Sequence, residues 1–363
     1  GAEGRVAGGE HLVQEQDVGV DRGRDGEPEP RAHPRRVRLQ RRIDELPPSF
    51  TTTLVLMTLP PILFAAVGCG LVLAAFGLLP GTGLYRDVLI LAACAAVSAP
   101  ASLPLLLRNA PPKAMQIVSG VTQIDQVAAF AILALVASMF RPGAIVLWRL
   151  PRSGWFLVTA GVGCLLGVVI YLLLRNVHSR TEELALIIGG IALAAGTAGY
   201  LAISVPVVCA LAGAVLANIP YRNRARLEAT LGEFERPLYL LLLFLVGTSW
   251  NPLEWQGWVL GIVFAVTRAY GKLVGARAAV RVSPEDLPTS RNLALSLLPE
   301  SAIAIVVIFS FATLDAEVVP AVAWGVNAVI VGSVLTEIFV QYKQRREARL
   351  VGEDTGRIVT HFV

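Results

Sequence analysis

The sequence predicts an all-α polytopic membrane protein of about ten transmembrane helices. Three observations carry that prediction. Hydrophobic residues make up 55% of the 363-residue chain and charged residues only 16%, with a mean hydropathy of +0.63. The charges gather in the tails and between apolar runs of roughly 17 to 25 residues, the length that crosses about 30 Å of hydrocarbon. No run shows the alternating ten-residue pattern of a transmembrane barrel.

Residues 1–50 are rich in Arg, Gly, Glu and Pro, lack apolar periodicity and do not begin with Met. They read as a disordered or mis-started segment. A transmembrane domain is expected over 51–342 and a short basic tail over 343–363. Ten spans are expected, roughly at 54–79, 87–107, 115–140, 154–174, 183–199, 202–218, 236–250, 257–276, 292–313 and 319–341. The fifth and sixth almost abut. The second is interrupted by SAPASLP, with Pro100 and Pro104, and the ninth by LLPES, with Pro299. Proline removes a backbone donor and clashes with the preceding turn, so each of these spans is expected to unwind locally.

Alternate loops fall on opposite sides of the membrane. One side collects Arg108, Lys113, Arg175, Arg180, Arg222, Arg224, Arg226, Arg277, Arg281, Arg291 and both basic tails. The other side holds only Arg86, Arg141, Arg149 and Arg152. The excess of positive charge puts both termini in the cytoplasm. Trp148, Trp155, Trp250, Trp255, Trp258 and Trp324 fall at or near the opposite face, as an interfacial aromatic belt would.

Three charges fall near mid-depth, namely Asp125 in the third span, Arg268 in the eighth and Glu300 in the ninth. A charge at that depth costs about 3 kcal/mol even on a lenient insertion scale, so it marks an ion or proton path by default. Unwound backbone at the same depth is tolerated only inside protein or beside a wet cavity. Spans one to three and eight to ten run in opposite senses, each triplet with its broken helix in the middle. That is the pattern of an inverted repeat whose two unwound helices cross at a site.

Other classes are excluded. The four cysteines, Cys69, Cys94, Cys164 and Cys209, lie in apolar runs without CxxC spacing, so neither a disulfide framework nor a metal site is indicated. The net charge of +4 is distributed by loop and forms no patch for nucleic acid. The chain has no nucleophile-base pair, paired aspartates on adjacent helices or HExxH helix, so no enzyme and no cofactor are expected.

The run LILAACAAVSAPASLPLLLRNAPPKAMQIVSGVTQIDQVAAFAILAL resembles the unwound helix and Asp-bearing helix of the monovalent cation/proton antiporter superfamily, especially its Kef-like branch. The stretch VCALAGAVLANIPYRNRARLEATLGEFERPLYLLLLFLVGTSW resembles that family's helix, linker and following helix. TRAYGKLVGARAAVRVSPEDLPTSRNLALSLLPESAIAIVVIFSF is similar to its basic-residue helix and second unwound helix. The resemblance covers about residues 54–341. It implies a secondary transporter that exchanges Na+ or K+ for H+ by alternating access, a homodimer in a prokaryotic cell membrane. Asp125 would be the shared carrier, and Arg268 the intramembrane basic residue and electrostatic partner. Ala99 and Pro100 would lie in the first crossover, Pro299 and Ser301 in the second.

A carboxylate suits exchange because one group holds either a proton or a small cation. Glu300 is either the counter-charge of Arg268 or a second carboxylate near the ion. Gln123, Thr122 and Ser98 offer oxygen ligands to a hard cation, or serve as packing residues. Lys272, one turn from Arg268, is expected to snorkel to the cytoplasmic interface. Two other readings stay open. Ile124 and SAPAS both remove ligand oxygens, which suits a non-transporting relative acting as a sensor or scaffold. A same-fold sodium-coupled symporter of an organic anion would place Arg268 on its substrate.

Overall fold

The computed structural model describes residues 48–77, 82–99, 112–140, 151–175, 177, 179–219, 224–283, 287–314 and 320–360. All regular structure among the described residues is helical. The helices are α1 (Pro48–Ala75), α2 (Thr82–Ala96), α3 (Pro112–Met139), α4 (Arg152–Leu174), α5 (Arg180–Tyr200), α6 (Val205–Asn218), α7 (Arg224–Ser249), α8 (Trp255–Val282), α9 (Ser290–Ser296), α10 (Ala302–Leu314) and α11 (Pro320–Thr360). Six stretches among the described residues are long and apolar enough to cross a membrane: Thr51–Ala75, Ala114–Met139, Ser153–Leu174, Arg180–Tyr200, Trp255–Val282 and Ala323–Lys343. Large apolar side chains such as Leu157, Ile188, Leu240 and Phe244 are exposed on α4, α5 and α7, as lipid-facing surfaces require.

Several helices outrun their apolar cores. α7 begins at Arg224, well before the apolar run at 236, because RARLEATLGEFER is made largely of good helix formers. Arg180 at the start of α5 pairs with Glu233 on this polar extension. α11 reaches Thr360, so its 41 residues run about 60 Å. Hydropathy marks only the part of a helix that suits lipid, and hydrogen bonding carries the rest.

The turn between α5 and α6 closes as a Schellman motif. Ile203 N donates to Ala198 O at 2.9 Å, Ala202 N donates to Gly199 O at 3.0 Å, and Ala202 takes the left-handed conformation at φ 48°.

The predicted interruptions take two forms. α2 ends at Ala96 and 97–99 are non-helical, whereas Pro100 and Pro104 lie outside the described residues. The ninth span splits into α9 and α10 around 297–301. Pro299 disfavours helical backbone at Leu298, which breaks the span there. Ser301 restarts the helix, its carbonyl accepting from Ala304 N at 3.0 Å.

α8 lies between α1 and α11, and glycines set both approaches. A Cβ at Gly271 or Gly275 would stand 2.5 Å from Pro61 Cα or 2.7 Å from Leu56 O on α1. One at Gly257 or Gly261 would meet Asn327 or Val331 on α11 at 2.6 to 2.8 Å. Two glycines four residues apart let helix backbones come into contact, the small-residue packing of membrane bundles. Two apolar clusters make up most of the buried core around these helices. One takes Cys69, Leu133, Phe264 and Ile308, and the other takes Met57, Val121, Ala276 and Leu293. α1, α3 and α8 each contribute to both, so the middle of each helix lies at the junction between the clusters.

Candidate functional site

The polar residues collect at that junction. Asp125 on α3 is 0% exposed, as are Arg268 on α8 and Ser98 in the first break, and Lys272 is 1% exposed. Asp125 Oδ1 accepts from Thr58 Oγ1 at 2.6 Å. Its Oδ2 accepts from Ser98 Oγ at 2.8 Å and from Lys272 Nζ at 2.7 Å. The carboxylate is thus ligated by two hydroxyls and an ammonium contributed by α1, the first break and α8.

The same two cations of α8 satisfy the open backbone of the breaks. Lys272 Nζ donates to Ala96 O at 2.8 Å. Arg268 Nε donates to Ala95 O at 3.1 Å, Nη2 to Val97 O at 2.6 Å, and Nη1 to Leu298 O in the second break. A helix C-terminus leaves carbonyls unpaired and partly negative, so positive side chains fit there. Ala99 N donates to Pro299 O at 2.8 Å, which joins the two breaks backbone to backbone.

Glu300, in the second break, completes the layer. Its Oε1 lies 3.6 Å from Arg268 Nε, and its Oε2 accepts from Ser333 Oγ on α11. Oε1 has no hydrogen-bond partner, so its compensation is the guanidinium charge.

The structure brings Asp125, Ser98, Arg268, Glu300, Ala99 and Pro299 together where the two breaks meet. Ser301 caps the second break, and Pro100 lies outside the described residues. Gln123 is exposed and stands apart from Asp125's ligands. Thr122 is buried, with its hydroxyl donating to Ser119 O at 2.8 Å on its own helix.

Two expectations need correction. Lys272 does not snorkel, and it is Lys272 rather than Arg268 that forms the ion pair with Asp125. The cause is a misplaced helix end. Arg277 and Arg281 cut the apolar run short at 276, but α8 continues to Val282, so Lys272 lies ten residues, about 15 Å, inside it. Thr58 was missed for the same reason. Ser49 and Thr51 to Thr53 hide the start of α1 at Pro48, which places Thr58 ten residues in. Ser333 carried no signal beyond a lone hydroxyl in an apolar span.

A buried carboxylate, an ammonium and two hydroxyls thus meet where the two helix breaks touch. The family model described as sodium/hydrogen exchanger, transmembrane, matches residues 42–341, which contain every one of these groups. The chain belongs to the sodium/hydrogen exchanger family. No curated protein matches the sequence. Members of the sodium/hydrogen exchanger family are membrane transporters that exchange a cation for a proton, so this chain is an integral membrane protein with a cation and a proton as its transported partners.

Proposed function

We propose that the chain exchanges a monovalent cation, Na+ or K+, for H+ by alternating access, with Asp125 as the shared carrier. The observation that carries this reading is the direct ion pair of Asp125 with Lys272 inside a cradle of hydroxyls at the helix breaks. The ammonium occupies the place a metal ion would take. When it withdraws, Asp125 Oδ2, Ala96 O, Ser98 Oγ and Thr58 Oγ1 are oxygens suited to a hard cation. A proton arriving on Asp125 removes its charge and with it the attraction for both cations. Ion, proton and Lys272 therefore compete for one carboxylate.

The geometry of Glu300 favours its reading as the counter-charge of Arg268 over that of a second ion ligand. Asp125 alone then titrates against the ion, and exchange is one for one and independent of membrane potential. A rate that depends on potential would add release of the Lys272 proton to the cycle.

α8 to α11 form a triplet with its interrupted span in the middle once α9 and α10 are taken as one, and between α1 and α3 stands α2, which gives way to non-helical backbone at 97–99. This supports an inverted-repeat fold of about ten spans, with one bundle rocking against the other. The loop charges support cytoplasmic termini. A homodimer and a prokaryotic cell membrane remain part of the proposal on family resemblance.

The test is proton efflux from proteoliposomes on addition of sodium, potassium or lithium, run beside Asp125→Asn. Wild type should respond to at least one of the cations and the variant should match empty liposomes. Equal rates for the two proteins would remove Asp125 from the mechanism.

A further inference from the structure

Asp125, Thr58 and Lys272 stand on helices, but Ser98 is held on non-helical backbone, and non-helical backbone within a membrane span has no intrinsic shape. Residues 97–99 and 297–301 need something to fix them. Ala95, Val97 and Leu298 present carbonyls that all accept from one side chain, Arg268. Ala95 presents its carbonyl from the last turn of α2, Val97 from the first break and Leu298 from the second. The guanidinium is planar, always charged and carries its donors in a fixed fork, so binding three carbonyls sets their separation as well as their charge. A lysine supplies a point charge on a flexible stem and sets no such spacing.

We propose that Arg268 is a positioning residue for cation binding: its fork locks the two helix breaks together and so aims the Ser98 hydroxyl and the Ala96 carbonyl at the Asp125 site. The route is short. Val97, held by Nη2, immediately precedes Ser98, and Ala96 lies between the two residues that Arg268 grips at the first break. Glu300, 3.6 Å from Nε, offsets the guanidinium charge and, through Ser333, ties the assembly to α11. Arg268 makes no hydrogen bond or ion pair with Asp125 among the described residues; its charge acts there through space, and its hold on the placement of Ser98 and Ala96 passes through the backbone.

The proposal rests on the exchanger reading for its kinetic consequence and on geometry alone for its structural one, so the two can fail separately. For the kinetics, Arg268→Gln in proteoliposomes should raise the cation KM at least tenfold while changing the maximal rate less. Ser98→Ala should raise KM in the wild-type background and add almost nothing on top of Arg268→Gln, because the hydroxyl is already misplaced. Additive effects, or an unchanged KM, overturn the proposal. A general loss of folding would lower the maximal rate without this split.

For the geometry, Cys94 is a native reporter. It is fully buried, and its Sγ donates to Ala304 O at 3.4 Å, so it spans the first half-helix and α10 beside both breaks. With Cys69, Cys164 and Cys209 replaced by Ala, labelling of Cys94 by a membrane-permeant maleimide should rise about tenfold in Arg268→Gln, an expectation set by thiol access. An unchanged labelling rate overturns the proposal even if wild type transports nothing. Where the Gln variant does not fold, Arg268→Lys keeps the charge and loses the fork, and the same two changes are expected of it. Wild-type KM and wild-type labelling in that variant would show that charge alone suffices, and the proposal falls.

Discussion

α8 carries two buried cations one turn apart, and they behave differently. Lys272 meets Asp125 directly at 2.7 Å and one carbonyl besides. Arg268 stands 3.6 Å from Glu300 and spends its donors on three carbonyls. In the proposed mechanism the first pair comes apart, because a small cation or a proton takes the place of the ammonium and finds the same oxygens. The second pair has no such substitute, since no metal ion reproduces a planar fork across two helix breaks. Equal burial therefore does not imply equal role. The number of backbone groups a charge satisfies separates the exchangeable pair from the fixed one.

The largest effect should come from breaking the direct pair. Lys272→Met leaves Asp125 buried beside hydroxyls alone, and loss of one partner from a buried pair costs about 3–5 kcal/mol. Glu300→Gln keeps a hydrogen-bond acceptor for Ser333 and faces a guanidinium already held by carbonyls, so about 2 kcal/mol is expected. Thermal unfolding in detergent should rank the two in that order, with the Lys272→Met, Asp125→Leu double variant regaining much of the loss. A larger loss for Glu300→Gln would invert the comparison.

A smaller effect should follow from altering the approach of α1, which delivers Thr58 to the site. Gly271→Ala places a Cβ 2.5 Å from Pro61 Cα, where backbone has to move, at about 1–3 kcal/mol. Gly189→Ala on α5 meets nothing within 4 Å and should be neutral or gain up to about 1 kcal/mol from helix propensity. Gly271→Ala should also raise the cation KM, which Gly189→Ala should leave alone. Equal behaviour of the two would remove α1 packing from the account of the site.

The smallest effect belongs to Ala202→Gly. The left-handed backbone there strains any residue with a Cβ, so glycine should gain about 1 kcal/mol. The midpoint should rise with cation KM unchanged, which separates stability from site geometry in the other variants.

Much of the site was legible in the chain. Asp125, Arg268 and Glu300 were marked by charge at depth, and Ser98 and Pro299 by their places in interrupted spans. Lys272 and Thr58 were hidden because helix ends were read from hydropathy. Charged and hydroxyl residues at the true ends of α8 and α1 made each span look shorter than it is, and so made mid-helix residues look interfacial. Partner choice was not legible either. Residues 268 and 272 share one face of a helix, and spacing alone gives each the same access to an acid elsewhere.

The sequence by itself determined that the chain is helical and membrane-embedded, that a span is interrupted at Pro299, and that charge lies buried near that level. Those are local matters of hydropathy, helix rise and a missing backbone donor. Tertiary structure decided which cation meets which carboxylate, and that one arginine reaches both breaks. The glycine faces of α8 set how closely α1 and α11 approach, and a shift of one helical turn in that packing exchanges the partners without changing a residue.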